Sequence, residues 1–458
     1  MRLRPALARR GPGGGVPVNR AGADQPGADQ PGADQSGAVE SGAGELGAGE
    51  TSAVETSAVE PGADATGVNE AAADIIGPGA AGADSAGADT AGAGTGGQAP
   101  RSGDDGALRE LERGLRPTAP AADNRVAAPP GHPHGPMRLG VIDIGSNTVH
   151  LLVVDAHRGG QPQPAASVRV PLRLVELLDD DGRLAERGEQ ALTDCIQQLR
   201  AHAQDLHVVD LVAFATSAVR EAPDGDEVLT RVRADTGLEV AVLPGEAEAR
   251  LTFLAVRRWF GWSAGRLLAL DIGGGSLEIG AGMHEDPEVV ASLPLGASRL
   301  TRDWLSENDP PKRSELNALR RYVRAQIAPV VGSLYHVGEP TRAVATSKTF
   351  RSLARVSGAA PYGRGPYVRR VLRREDLVEV AARVCRMSAA ERAALAGVSA
   401  SRASQLIAGA VVAAEALDLF NLEEVEICPW ALREGVILRR LDLLTSGLDG
   451  PRSLPPAR

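Results

Sequence analysis

Two short stretches carry the residue types that can hold a phosphate. Residues 139–154 read LGVIDIGSNTVHLLVV, and residues 267–280 read LLALDIGGGSLEIG. Each is an apolar run of strand length ending in Asp-Ile-Gly, then small polar residues, then a second strand-like run. That pattern predicts a β-hairpin with a glycine-rich turn. Gly145, Gly273, Gly274 and Gly275 allow the backbone to turn with positive φ and to approach a ligand closely. Their amides can then converge on phosphate oxygens as an anion nest, with Ser146, Asn147, Thr148 and Ser276 as further donors. Asp143 and Asp271 are badly placed to touch a phosphate, because like charges repel. They make sense with a magnesium ion, bound directly or through its waters, between carboxylate and phosphate. One glycine turn between strands is commonplace. Two with the same Asp-Ile-Gly order, 128 residues apart, are what a duplicated domain produces.

The neighbouring stretches supply elements that would position these loops. VDLVAFAT (209–216) reads as a buried strand, and Thr216-Ser217 can cap the helix that follows. Arg220 then falls in the first turn of that helix, where a phosphate is favoured; an ordinary surface pair with Glu221 or Asp224 is the plainer reading. Leu-Pro-Gly at 243–245 ends a strand, and a helix running to about Trp259 starts after it. Glu248 lies near the start of that helix, pointing at the mouth of whatever cleft the two loops enclose. Taken alone, an acidic residue in a first turn is more often helix-dipole decoration than a catalyst.

DIGSNT (143–148), ATSAVRE (215–221), PGEAEAR (244–250) and DIGGGSLE (271–278) together resemble the ordered motifs of the exopolyphosphatase/guanosine pentaphosphate phosphohydrolase family, part of the actin-like ATPase superfamily. The likeness runs from about Arg138 to Leu441. It implies an α/β fold of two duplicated actin-like (ribonuclease H-like) domains around a central cleft, here 137–262 and 263–446, with C-terminal helices packing back on the first. It also implies roles. Glu248 is the general base that activates water, and Glu278 assists at the metal or the water. Asp143 and Asp271 support magnesium. Gly145, Ser146, Asn147, Thr148, Arg220, Gly273, Gly274, Gly275, Ser276 and Lys312 hold phosphates. Longer relatives add a helical metal-dependent phosphohydrolase domain; this chain resembles the short form, since it ends about 20 residues past ALREG (431–435).

The implied reaction is magnesium-dependent hydrolysis of the terminal phosphoanhydride of inorganic polyphosphate, with short chains favoured. Removal of the 5′-terminal phosphate of guanosine pentaphosphate is the nearest alternative. A non-catalytic sensor of polyphosphate or nucleotide, and a kinase needing a second acceptor, are readings of other classes. Phosphate release with short polyphosphate, guanosine pentaphosphate and ATP separates them.

Positive charge is carried almost wholly by arginine; the only lysines are Lys312, in NDPPKRSEL, and Lys348, in ATSKTFRSLA. Lys348 stands where the resemblance more often has a glycine, which leaves its role open. Arg364, Arg369, Arg370, Arg373 and Arg374 form a basic cluster that either steers a polyanion or is a solvated face. Tyr362 and Tyr367 interleave it. Net charge near zero in this region and the lack of a binding motif argue against nucleic acid.

Residues 1–136 hold 18 of the 59 acidic and 10 of the 49 basic side chains, so the remainder is nearly neutral. From Gly22 this segment repeats every five residues (GADQP, GADQP, GADQS, GAVES) and has no aromatics. It cannot bury enough apolar surface to offset its ordering entropy, so disorder is expected for 1–136, and likewise for the tail 447–458. His132 and His134 read as linker. A second reading places the start of translation at Met137; a native mass near 47.4 kDa would exclude it. Arg9–Arg10 lacks a following apolar stretch, which argues against an export signal. Cys195, Cys385 and Cys428 fit neither a disulfide framework nor a metal spacing, and a reducing cytoplasm suits them. No stretch is apolar enough to span a bilayer. A homodimer is left open.

Overall fold

The computed structural model describes residues 55–57, 136–179, 181–305 and 308–446. His132, His134, the tail 447–458 and nearly all of the five-residue repeat lie outside the described residues. The exception is β1 (Glu55–Ser57), a three-residue strand lying antiparallel to β4 (Gln163–Val170).

Both aspartate stretches form the expected hairpins. β2 (Met137–Ile144) pairs antiparallel with β3 (Val149–Ala156), placing Asp143 opposite His150. β4 continues this sheet beyond β3, while β5 (Asp210–Ala215) and β6 (Val240–Val242) extend it in parallel on the other side of β2. Parallel neighbours need crossovers. Here they are α1 (Glu186–Asp205), the four-residue α2 (Ser217–Arg220) and α3 (Gly225–Thr236), and α4 (Gly245–Phe260) follows β6.

The second sheet repeats the plan. β7 (Leu267–Ile272) and β8 (Leu277–Gly282) form the hairpin, β9 (Val289–Leu293) lies antiparallel outside β8, and β10 (Arg342–Ala345) and β12 (Glu424–Ile427) run parallel beyond β7. The order β4-β3-β2-β5-β6 therefore corresponds to β9-β8-β7-β10-β12, with β11 (Val371–Arg373) added antiparallel at the far edge. This is the duplicated actin-like α/β architecture that the resemblance implies. Its helices are α5 (Ala297–Trp304), α6 (Arg313–Val337), α7 (Ser347–Val356), α8 (Arg374–Val384), α9 (Ala389–Ala393), α10 (Leu406–Leu419) and α11 (Leu432–Ser446).

Each sheet buries one face under its own helices. Leu192, Ile196, Val228 and Val232 cover Ile142, Leu151 and Val153 in the first half, and Val323, Ile327, Val411 and Val412 cover Leu270, Ile272 and Ile279 in the second. The opposite faces share α4 and α11. Leu251, Val436 and Ile437 pack on Leu139, Val141 and Phe214 of the first sheet. Phe253, Val256 and Leu438 pack with Leu267, Ala269 and Val344 of the second. A helix buried on most sides must be apolar on most sides, and LTFLAV in α4 meets that need. Gly435 permits the close approach of these helices, since a Cβ there would lie 2.0 Å from the Leu251 carbonyl oxygen. No helix among the described residues is long and apolar enough to cross a membrane.

Candidate active site

The two hairpin turns face each other across a cleft of about 180 Å³ that both aspartates line. Larger hollows of about 790 and 750 Å³ lie elsewhere and contain neither loop. The glycines of the turns serve a purpose different from the expected one. None of Gly145, Gly273, Gly274 and Gly275 has a positive φ. Instead, a Cβ on Gly274 would lie 2.8 Å from Ser146 Cβ, and one on Gly275 would lie 2.2 Å from Ser217 Oγ. These two glycines let loops from the two halves touch. Asn147 Nδ2 donates to Ser298 Oγ (2.9 Å), and Gln405 Nε2 donates to Asn147 Oδ1 (2.9 Å), so the first loop is tied to the second half directly.

Four carboxylates meet here, and the chain plan explains why. Asp143 and Asp271 occupy equivalent ends of β2 and β7. Glu278 is the cross-strand partner of Asp271, a position held in the first hairpin by His150. Glu248 enters from the first turn of α4 and is 6% exposed, so it sits inside the cleft wall rather than at its mouth.

Burial pushes the Glu248 carboxyl up to about 7; Arg220 pulls it down, and Asp143 and Asp271 add to the rise. Burial likewise pushes Asp271 up to about 6, against the hydrogen bond from Thr346 Oγ1. Glu278 is held well above the usual carboxylate range by burial and by the charges of Glu248 and Asp271, while Ser292 Oγ donates to its Oε1 at 3.1 Å. Asp143 is raised by burial and steadied by Arg433, whose Nη1 donates to Oδ2 at 3.1 Å. His150 is pushed down to about 2, first by burial and then by Arg433, Arg169 and Arg351. It remains a neutral ring bonded to Ser167 Oγ at 2.7 Å.

Several sequence expectations are redrawn. Thr216 stands at the N-cap of α2 without a capping side-chain bond; its hydroxyl turns toward the Ile144 carbonyl at 3.5 Å. Arg220 closes that short helix outside the cleft lining and donates to the Leu243 carbonyl (2.6 Å) and to Glu248 Oε1. In this structure its guanidinium is bound to the acid and does not line the cleft. Neither expected surface pair forms, because Glu221 instead binds Arg299 across the cleft. Lys312 is exposed at the start of α6, away from the lining, its amide donating to Glu315. The basic cluster is largely engaged locally. Arg369 pairs with Glu424 and Glu426, Arg370 is buried against backbone carbonyls, and Tyr367 stacks on Trp259.

Sequence reasoning missed Thr346, Arg351, Arg402 and Arg433, all near or on the cleft wall. A signal for Thr346 was available: Ala-Thr-Ser occurs at 215–217 after β5 and again at 345–347 after β10. The Thr216 amide donates to the Ile144 carbonyl, one residue after Asp143, and the Thr346 amide to the Leu270 carbonyl, one residue before Asp271, so the two turns sit two residues apart in register.

Among the described residues no group of three or more His, Cys, Asp or Glu side chains is set to cage a metal ion. Asp143 and Asp271 each have Oδ2 engaged, and Oδ1 of each has no hydrogen bond among the described residues. Two carboxylates on adjoining loops suit a hard cation that keeps waters and takes its remaining ligands from phosphate oxygens.

Residues 153–444 match the Ppx/GppA phosphatase family. The chain belongs to that family. It is 55% identical to Exopolyphosphatase 1 of Mycobacterium tuberculosis over 311 residues, 68% of this chain and 90% of that protein. Guanosine-5'-triphosphate,3'-diphosphate pyrophosphatase of Aliivibrio fischeri is more distant, 25% identical over 303 residues, 66% of this chain and 59% of that protein. Among solved structures, an exopolyphosphatase from Cytophaga hutchinsonii superposes with a TM-score of 0.61 at 25% identity, covering 67% of this chain and 98% of that one. The Ppx/GppA enzyme of Aquifex aeolicus gives 0.57 at 26%, covering 66% and 99%.

Proposed function

We propose that this protein is an exopolyphosphatase that hydrolyses the terminal phosphoanhydride of short inorganic polyphosphate and releases orthophosphate. The observation that carries the proposal is Glu248, a buried carboxyl raised to about 7, on the wall of a cleft between two phosphate-type loops. A base near the working pH combines the correct protonation state with useful proton affinity. The 55% identity to Exopolyphosphatase 1, against 25% to the guanosine pyrophosphatase, supports polyphosphate over guanosine pentaphosphate as substrate.

In this reading the terminal phosphoryl group lies between the loops. Ser146, Asn147, Thr148, Ser276 and the amides of Gly274 and Gly275 hold its oxygens, while the Gly145 and Gly273 amides close the two turns by donating to the Thr148 and Ser276 carbonyls. Glu248, oriented by Arg220, orients a water for in-line attack and takes its proton. The new water–phosphorus bond forms as the bridging P–O bond breaks, and the shortened chain leaves as an anion. Glu278 shares the environment of Glu248 and holds the water. Magnesium, held by Asp143 and Asp271 when bound, supplies positive charge that offsets the chain. Positioning and charge stabilisation supply most of the acceleration. The two halves of the enzyme are 137–262 and 263–446.

Phosphate release from short polyphosphate, guanosine pentaphosphate and ATP with magnesium tests the proposal. The expected order places polyphosphate first in kcat/KM. Release from guanosine pentaphosphate alone would assign the alternative activity, and release from none would return the protein to the sensor class.

A further inference from the structure

The first turn of α5 touches both loops. Gly296 makes this possible: a Cβ there would lie 2.2 Å from the Gly275 carbonyl carbon and 2.3 Å from the Gly274 carbonyl oxygen, so the helix starts directly against the second loop. The opening amides of a helix have no partner inside it. In α5 they go to that loop. The Ala297 amide donates to the Gly273 carbonyl (3.0 Å), and those of Ser298 and Arg299 donate to the Gly274 carbonyl (2.9 and 3.0 Å). Arg299 Nε donates to the next carbonyl, that of Gly275, at 2.7 Å. Three consecutive carbonyls are thus turned toward one helix.

A trans peptide holds its C=O and the following N–H on opposite sides. The amides of Gly274, Gly275 and Ser276 therefore point away from α5, and none of them has a hydrogen-bond acceptor among the described residues. Gly273, Gly274 and Ser276 line the cleft. The aim of this loop therefore comes from α5 rather than from positive φ, and its last peptide is held by the Arg299 side chain alone.

The same guanidinium crosses to the first half, where its Nη2 binds Glu221. That residue follows α2, which is four residues long. Ser217, at the start of α2, presses on Gly275; Arg220, at its end, holds Glu248; Glu221 comes next and holds Arg299. The buried acid and the second loop are therefore joined through two adjacent residues. Ser298 adds another tie, its Oγ accepting from Asn147 of the first loop at 2.9 Å.

We propose that Arg299 is a positioning residue for the reaction: its guanidinium fixes the Ser276 end of the second loop and, through Glu221, sets that loop relative to Glu248. It acts through the peptide it holds and the carboxylate it pairs with. Donors misaimed at the charge that develops in the transition state cost turnover more than substrate binding. The inference rests on the exopolyphosphatase reading, and a binding measurement that needs no turnover separates the two.

The test is steady-state kinetics on tripolyphosphate with magnesium, and calorimetry with orthophosphate, for the unmodified enzyme, Arg299→Gln, Arg299→Lys, Glu221→Gln and the double glutamine variant. In Arg299→Gln kcat should fall about tenfold or more, with a smaller change in KM. Glu221→Gln leaves the bond to Gly275 in place, so its kcat should fall less and its orthophosphate affinity should hold, whereas Arg299→Gln should weaken orthophosphate. The double variant should be no worse than Arg299→Gln, because both residues act through one guanidinium. A lysine ammonium can serve the carbonyl or the carboxylate but lacks the planar fork that serves both, so Arg299→Lys should recover part of kcat. If thermal unfolding shows Arg299→Gln to be misfolded, Arg299→Lys takes its place in the same comparison. An unmodified enzyme that releases no phosphate sinks the exopolyphosphatase reading, and the orthophosphate affinities then still decide whether Arg299 aims the loop. A folded Arg299→Gln that keeps kcat and orthophosphate affinity, or a double variant whose loss is the product of the two single losses, overturns the positioning role.

Discussion

Glu248→Gln should stabilise the protein while removing its turnover, and the stabilisation should depend on pH in a specified direction. The carboxyl is raised from 4.5 to about 7 by burial, an effect that outweighs the attraction of Arg220. A group whose folded-state affinity for the proton exceeds the unfolded one stabilises the fold while protonated. That contribution is full below about 4.5 and is lost as pH rises through about 7. At about 1.4 kcal/mol per tenfold in the proton equilibrium, the loss amounts to about 3 kcal/mol. Glutamine has nearly the shape of the protonated acid, its oxygen still accepts from Arg220, and it never ionises. Urea unfolding of both proteins in chelator, from about pH 5 to about pH 9, should therefore show the unmodified chain losing about 2–3 kcal/mol relative to the variant. Removal of the charge also relieves Glu278, which adds to the same trend. In parallel, kcat/KM of the unmodified enzyme should rise with pH through about 7 as the base ionises, and the variant should show no turnover. Parallel stability curves would refute the burial argument, and full turnover in the variant would refute the role of Glu248 as base.

Two further outcomes follow from the packing and from the metal geometry. Gly435→Ala places a methyl group 2.0 Å from the Leu251 carbonyl oxygen, where backbone must move. Overpacking of this kind costs about 1–3 kcal/mol; the unfolding midpoint in urea should fall accordingly, and kcat should fall with it because Leu251 lies one turn beyond Glu248 on α4. An unchanged midpoint would mean that α4 and α11 part without cost. Chelation of divalent cations should abolish phosphate release without lowering the thermal midpoint, since no described residues form a protein-only cage. A large thermal loss on chelation would point to a structural ion.

The hairpins were legible because each rests on short-range signals, an apolar run, a carboxylate and a glycine turn, repeated after 128 residues. The reason for the glycines was not. Gly274 and Gly275 are small because Ser146 and Ser217, remote in sequence, press against them. Nothing local distinguishes that need from a positive φ. Arg220 shows the same limit. Its place after Ala-Thr-Ser suggested a phosphate contact, but only the packing of α4 beside β5 brings Glu248 to its guanidinium. Lys348 and Arg402 belong to one wall only because α7 and the stretch before α10 converge there. Charge that remains unpaired after folding cannot be recognised before every possible partner has been located.

The duplication helps to explain how one cleft could combine the proposed binding with the proposed acid–base chemistry. Features present in both halves, the aspartate at the strand end and the Ala-Thr-Ser turn after the parallel neighbour, serve needs that both halves share. The groups proposed for acid–base work sit where the halves differ. Glu278 occupies the cross-strand place that His150 fills in the first hairpin, and Glu248 enters from α4. A second glutamate in place of His150 would add a fifth buried carboxyl beside four that already repel one another. A ring kept neutral, down to about 2, avoids that repulsion and leaves Asp143 the partner of Arg433. The high proton affinity is therefore concentrated on one side of the cleft, at Glu248 and Glu278. In the proposed reaction a water held there meets Glu248 as its base.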